Sequence, residues 1–188
     1  SKFGAELDSL SDFISFGVAP ALILFFWTTQ SIQGIGWATV LFFSTCMALR
    51  LARFNTQLED PNPPSFSARF FSGVPAPAAA GLACLPVIVS FELDLDVIKQ
   101  PYLISGWLVF IGLMMVSSIP TFSFKGSKLP RKLVIPLFVI AGLFIACVLT
   151  ETWIALAMLI MAYFFSIPLS FFSYRKLNLR EQIGALEE

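Results

Sequence analysis

The sequence predicts an all-α fold, a polytopic transmembrane helix bundle, on three observations. The 188-residue chain is 57% apolar with a mean hydropathy of +0.82. Only 13% of its residues are charged, about half the roughly 25% usual in soluble domains. Apolar runs long enough to cross a hydrocarbon layer of about 30 Å recur along the chain. The basic residues also alternate with those runs in a way that only a multi-pass topology explains.

Six spans are read in order. Helix one covers Ala5 to Trp27, with a polar start and an apolar remainder. The turn-rich TTQSIQGIG separates it from helix two, Gly36 to Phe54. The longer NTQLEDPNPPSFSARFFSG leads to helix three, Pro75 to Phe91. Pro75 suits a first helical position, where the missing N–H has no partner to lose. Ala76, Ala78, Ala79, Ala80 and Gly81 then permit close helix packing. ELDLDVIKQP precedes helix four, Tyr102 to Ile119, and PTFSFKGSKLPRK precedes helix five, Leu133 to Leu149. Only a few residues around Glu151 remain before helix six, Trp153 to Phe172, which demands a tight antiparallel hairpin. Residues 1–174 thus read as one transmembrane domain, and 175–188, RKLNLREQIGALEE, as a short polar cytoplasmic tail. Tyr102, Trp107, Trp153 and Tyr174 fall near span ends, as interfacial aromatics do.

With this count, all but one of the 12 Lys and Arg fall on the side where helix one starts. Lys99 is the exception. By the positive-inside rule that side is cytoplasmic. The basic loop Lys125, Lys128, Arg131 and Lys132 lies there too and suits anionic headgroups.

Composition also excludes function classes. There is no histidine, so no His-based triad, general base or metal ligand. Zero formal net charge argues against a nucleic-acid partner. Cys46, Cys84 and Cys147 each lie alone in an apolar run, which is neither a disulfide framework nor a zinc site. A transporter would carry more polar residues at mid-membrane than these helices do.

Chemistry concentrates at the head of helix one, FGAELDSLSD. Gly4, Asp8 and Asp12 are spaced by four, and at about 100° per residue Ser11 and Ser15 share their face. Carboxylates are costly in hydrocarbon. Two of them one turn apart repel unless a cation lies between them, and Mg²⁺ commonly joins one or two carboxylates to substrate phosphates. The spacing equally allows a solvated helix start, because acidic residues are favoured in a first turn.

The block G-A-E-L-D-S-L-S-D resembles G-x-x-x-D-x-x-x-D, the second half of the signature of the CDP-alcohol phosphatidyltransferase family. ALRLARFNTQ, FSGVPAPAAAGL and MMVSSIPTFSFKG are similar to stretches of that family's phosphatidylserine synthase branch. The first half, D-x-x-D-G-x-x-A-R, is not in this chain. The family places it just upstream, on a preceding helix, so the resemblance implies a fragment of an eight-span protein beginning inside its own motif.

The resemblance implies transfer of a phosphatidyl group from CDP-diacylglycerol to L-serine, with release of CMP, at the cytoplasmic face of the cytoplasmic membrane. It implies Mg²⁺ or Mn²⁺ held by Asp8 and Asp12, a nucleotide site at Gly4 and Asp8, and Asp12 as the base for the acceptor hydroxyl. Arg50 and Arg53, at i, i+3 on one face, would clamp the serine carboxylate and the lipid phosphate, with Asn55 adding a donor or acceptor. Ser72 and Gly73, at the mouth of helix three, would line the acceptor pocket. The family implies a homodimer among membrane lipids. Glycerol phosphate or inositol phosphate as acceptor, an ether-lipid donor, and a non-catalytic membrane scaffold remain open alternatives.

Overall fold

A computed structural model describes residues 2–58, 70–93, 95–118, 120–122 and 134–184. The predicted all-α membrane helix bundle is what the chain forms. The first rod comprises α1 (Lys2–Asp12), a π-helical turn (Phe13–Val18) and α2 (Ala19–Trp27). Then follow α3 (Gly34–Leu58), α4 (Ala76–Ser90), α5 (Pro101–Val116), α6 (Val134–Thr150) and α7 (Thr152–Gly184). Phe3–Trp27 and Gly34–Thr56 are long and apolar enough to cross a membrane. Ala76–Ser90, Pro101–Val116, Phe138–Thr150 and Thr152–Pro168 are shorter apolar helices.

The π turn is the first departure from expectation. It sits where Pro20 removes a backbone donor and crowds the carbonyl four residues before it. The Ala19 N–H reaches Ile14 instead, five residues back. Ser15 therefore lies in the wider turn, and the i, i+4 face extends over Gly4, Asp8, Ser11 and Asp12 but not to Ser15.

The core is the seam between α3 and α5, flanked by α2, α4 and α7. Phe43 and Met47 of α3 and Ile104, Leu108, Ile111 and Met115 of α5 are fully buried, with Leu24, Val74 and Leu82 beside them. Gly112 lets the two helices close: a Cβ there would stand 2.9 Å from the Phe42 ring. Pro86, inside α4, deprives the Leu82 carbonyl of its usual i+4 donor. The Trp107 indole of α5 fills the gap, donating from Nε1 to Leu82 O at 2.8 Å. Such replacement makes proline tolerable within a membrane helix.

The exterior is apolar, the reverse of a soluble surface. Phe138 and Leu149 of α6 are 74% and 80% exposed, and Ile23, Phe26, Leu41, Leu103 and Leu113 also face outward. These faces suit lipid tails. A single residue, Glu151, separates α6 from α7, the tight hairpin that the short connector requires. Phe91 and Trp153 meet at 4.5 Å between ring centroids, tying the end of α4 to the start of α7.

Two features were not foreseen. A two-stranded antiparallel ladder, β1 (Phe70–Ser72) with β2 (Pro120–Phe122), pairs Phe71 with Thr121 and Ser72 with Pro120. And α7 continues as helix past Tyr174 to Gly184, where a separate tail was read. The basic loop Lys125–Lys132 and Arg69 lie outside the described residues.

Candidate active site

The ladder, the start of α1 and the end of α3 lie at one end of the bundle, the end where the chain begins. Its residues can be assembled from α1 outward.

On α1, Gly4 and Asp8 are exposed and Asp12 is half-buried. Asp12 lies in the neighbourhood of Arg50. Beside them, Ser9 donates to the Ala5 carbonyl at 3.1 Å and accepts from Asn55 Nδ2 at 2.9 Å, a bond across 46 residues. The end of α3 is thus fastened to the acidic segment of α1.

Arg50 and Arg53 are held differently. Arg50 Nε donates to the Val74 carbonyl at 2.7 Å, and the guanidinium carbon lies 5.9 Å from the Phe54 ring centroid. Tyr163, from α7, lies in the same neighbourhood. Arg53 reaches the Val116 carbonyl at 3.5 Å and Ser118 Oγ at 3.4 Å, both near the outer limit of a hydrogen bond. The two arginines so address the two roots of the ladder. Arg50 braces the segment entering α4, and Arg53 touches the segment leaving α5.

Gly73 links β1 to α4 with φ +78°, a conformation that only glycine adopts without strain. A Cβ at Gly73 would collide with the Met115 carbonyl, and Val74 N–H bonds Met114 O at 3.4 Å. Gly73 is buried on the end of α5 and so fixes the entry to α4 there. The Ser72 backbone pairs in the ladder with Pro120.

Of the residues singled out in the sequence, the fold brings Asp12 into the neighbourhood of Arg50, and Asn55 to the helix that carries Asp8. It places Gly73 one residue from the carbonyl that Arg50 grips. Ser9, Ser118 and Tyr163 were missed. Tyr163 carried a usable signal: a phenol deep in an apolar run needs a polar partner.

The CDP-alcohol phosphatidyltransferase family profile matches residues 1–120, and the CDP-alcohol phosphatidyltransferase 2 profile matches residues 132–168. The first match covers the acidic face, both arginines and the first strand of the ladder. The chain belongs to the CDP-alcohol phosphatidyltransferase family. It is similar to a CDP-diacylglycerol–serine O-phosphatidyltransferase of Mycobacterium leprae, 30% identical over 175 residues, which is 93% of this chain and 58% of that protein. It is similar to the enzymes of that name from Helicobacter pylori strain J99 (38% over 143 residues) and Methanocaldococcus jannaschii (37% over 142 residues). Those matches cover 76% and 75% of this chain and 58% of each relative. The chain thus spans less than two thirds of the length of these relatives.

A divalent cation, on which this family generally depends, can be tested against the donors present. Asp8 and Asp12 are hard oxygen ligands one helical turn apart. No cluster of three or more His, Cys, Asp or Glu occurs among the described residues. That set does not make an all-protein cage. It fits the Mg²⁺ mode of one or two carboxylates completed by water and substrate phosphate.

Proposed function

We propose that the protein carrying this chain transfers the phosphatidyl group of CDP-diacylglycerol to the hydroxyl of L-serine, forming phosphatidylserine and CMP. The observation that carries this reading is the Asp8–Asp12 face of α1, at the bundle end toward which α3 carries Arg50 and Arg53. The names of the relatives support serine as the acceptor.

Asp8 and Asp12 would hold Mg²⁺ or Mn²⁺, which when bound neutralises charge on the pyrophosphate. Exposed Gly4 and Asp8 face the nucleotide. Asp12, deeper and half-buried, accepts the serine hydroxyl hydrogen bond and takes its proton. The serine oxygen then bonds to the lipid-bearing phosphorus as the bond from that phosphorus to CMP breaks. Arg50 is committed to Val74 and braces the mouth. Arg53, loosely held, is the arginine free to turn toward a carboxylate or phosphate. Ser72 and Gly73 form the acceptor rim, and Asn55 stands beside it.

The reading includes one transmembrane catalytic domain over residues 1–174 and a terminal segment over 175–188. It also includes a homodimer, and a cytoplasmic membrane location with the basic end facing the cytoplasm. The test supplies the full-length protein with CDP-diacylglycerol, labelled serine and Mg²⁺ or Mn²⁺, with glycerol phosphate and inositol phosphate as competitors. Labelled phosphatidylserine is expected, undiminished by the competitors. Asp12→Asn should lower its rate by about 100-fold or more. Absence of product, or an unchanged rate in Asp12→Asn, contradicts the proposal.

A further inference from the structure

We infer that the Ser9–Asn55 hydrogen bond sets the rotation of α1 and thereby aims the Asp8 and Asp12 carboxylates, making Ser9 and Asn55 positioning residues for the divalent cation. The inference rests on the metal-binding role proposed above for the two aspartates.

Three observations lead to it. First, Ser9 stands between the two aspartates on the flank of α1 that meets the end of α3. Gly4 through Asp8, Leu10 and Ser11 are exposed, and Ser9 and Asp12 are half-buried. Second, the π turn follows Asp12 directly. An i→i+5 turn is a weak point at which a helix changes direction or twist. The α-helical ladder that would otherwise lock α1 in register with the well-packed α2 is interrupted there. Third, the bond is well made. Asn55 Nδ2 stands 2.9 Å from Ser9 Oγ, and Ser9 Oγ is itself anchored on the Ala5 carbonyl at 3.1 Å.

Angular geometry shows what this bond can set. Ser9 lies about 100° around the axis from Asp8 and about 60° from Asp12. Pinning Ser9 against α3 therefore turns Asp8 outward and leaves Asp12 on the flank nearer Arg50. Side-chain tips sit about 5–6 Å from a helix axis, so a slip of about 20° moves a carboxylate by about 2 Å. Metal–oxygen distances hold within about 0.2 Å. A small loss of rotational control is thus enough to spoil the site while the bundle stays intact.

The test measures Mn²⁺ binding to the full-length protein in detergent micelles, by the loss of the free-ion electron paramagnetic resonance signal, alongside thermal unfolding. Ser9→Ala, Asn55→Ala and the double variant should each raise the Mn²⁺ concentration for half-occupancy by about tenfold, the scale of losses on removing groups that orient metal ligands. The double variant should be no worse than either single one, because both remove the same bond. The exchanged pair, Ser9→Asn with Asn55→Ser, should recover most of the loss. Unfolding temperatures should stay near wild type. Unchanged half-occupancy in Ser9→Ala overturns the inference. So does a loss in Asn55→Ala that Ser9→Ala does not share, which would mark Asn55 as a direct ligand contact. A wild-type protein that holds no Mn²⁺ overturns both this inference and the metal role of Asp8 and Asp12. Because occupancy is read directly, the outcome is independent of whether serine is the acceptor.

Discussion

The α3–α5 seam and α1 are built on opposite principles. The seam is closed at Gly112, filled by Phe43, Met47, Leu108 and Ile111, and stitched to α4 by the Trp107 indole. Helix α1 is largely exposed, and Ser9 ties it to α3 through Asn55. The seam places the ends of α3 and α5 rigidly, and through Arg50 and Gly73 it places the mouth of the site. The carboxylates ride on the more exposed element. Stability and site chemistry are therefore separable, and substitutions in the two regions should have different signatures.

The largest stability loss is expected at the joint between the regions. Gly73→Ala forces a left-handed residue and a collision with the Met115 carbonyl. It should cost about 2 kcal/mol or more, read as a lowered unfolding temperature in micelles. On the seam, Gly112→Val drives a side chain into the Phe42 ring and should cost about 1–3 kcal/mol. Trp107→Phe keeps the ring but leaves the Leu82 carbonyl unpaired, a cost also of about 1–3 kcal/mol and nearer the lower end. The smallest stability effect belongs to α1. Ser9→Ala should cost below about 1 kcal/mol, since the bond is partly exposed. A large stability loss in Ser9→Ala, or none in Gly112→Val, would break the contrast.

Most of the bundle was legible in the sequence because hydrocarbon imposes one rule on every span. Long apolar runs must be helices, and basic residues sort to one side. The acidic face was legible for a similar reason. Gly4, Asp8 and Asp12 are close in the chain, and helical geometry alone puts them together. What escaped depends on distant partners. The π turn needs Pro20 and the tertiary placement of α1 and α2 at once. The ladder has three residues per strand, too few for a period, and exists because α5 ends beside the entry to α4. Arg50 and Arg53 read as an equivalent pair. Only the carbonyls of Val74 and Val116, brought in by α4 and α5, separate a braced arginine from a loosely held one.

The division between a stabilising seam and a chemical α1 is tested most directly by comparing Asp12→Asn with Trp107→Phe in the full-length protein. Phosphatidylserine formation per folded molecule and unfolding temperature should be measured on the same samples. The account predicts a crossover. Asp12→Asn should lose about 100-fold or more in rate with an unchanged unfolding temperature, and Trp107→Phe should unfold earlier while keeping its rate. Wild-type rates in Asp12→Asn, or a rate loss that merely tracks unfolding in both variants, would contradict it.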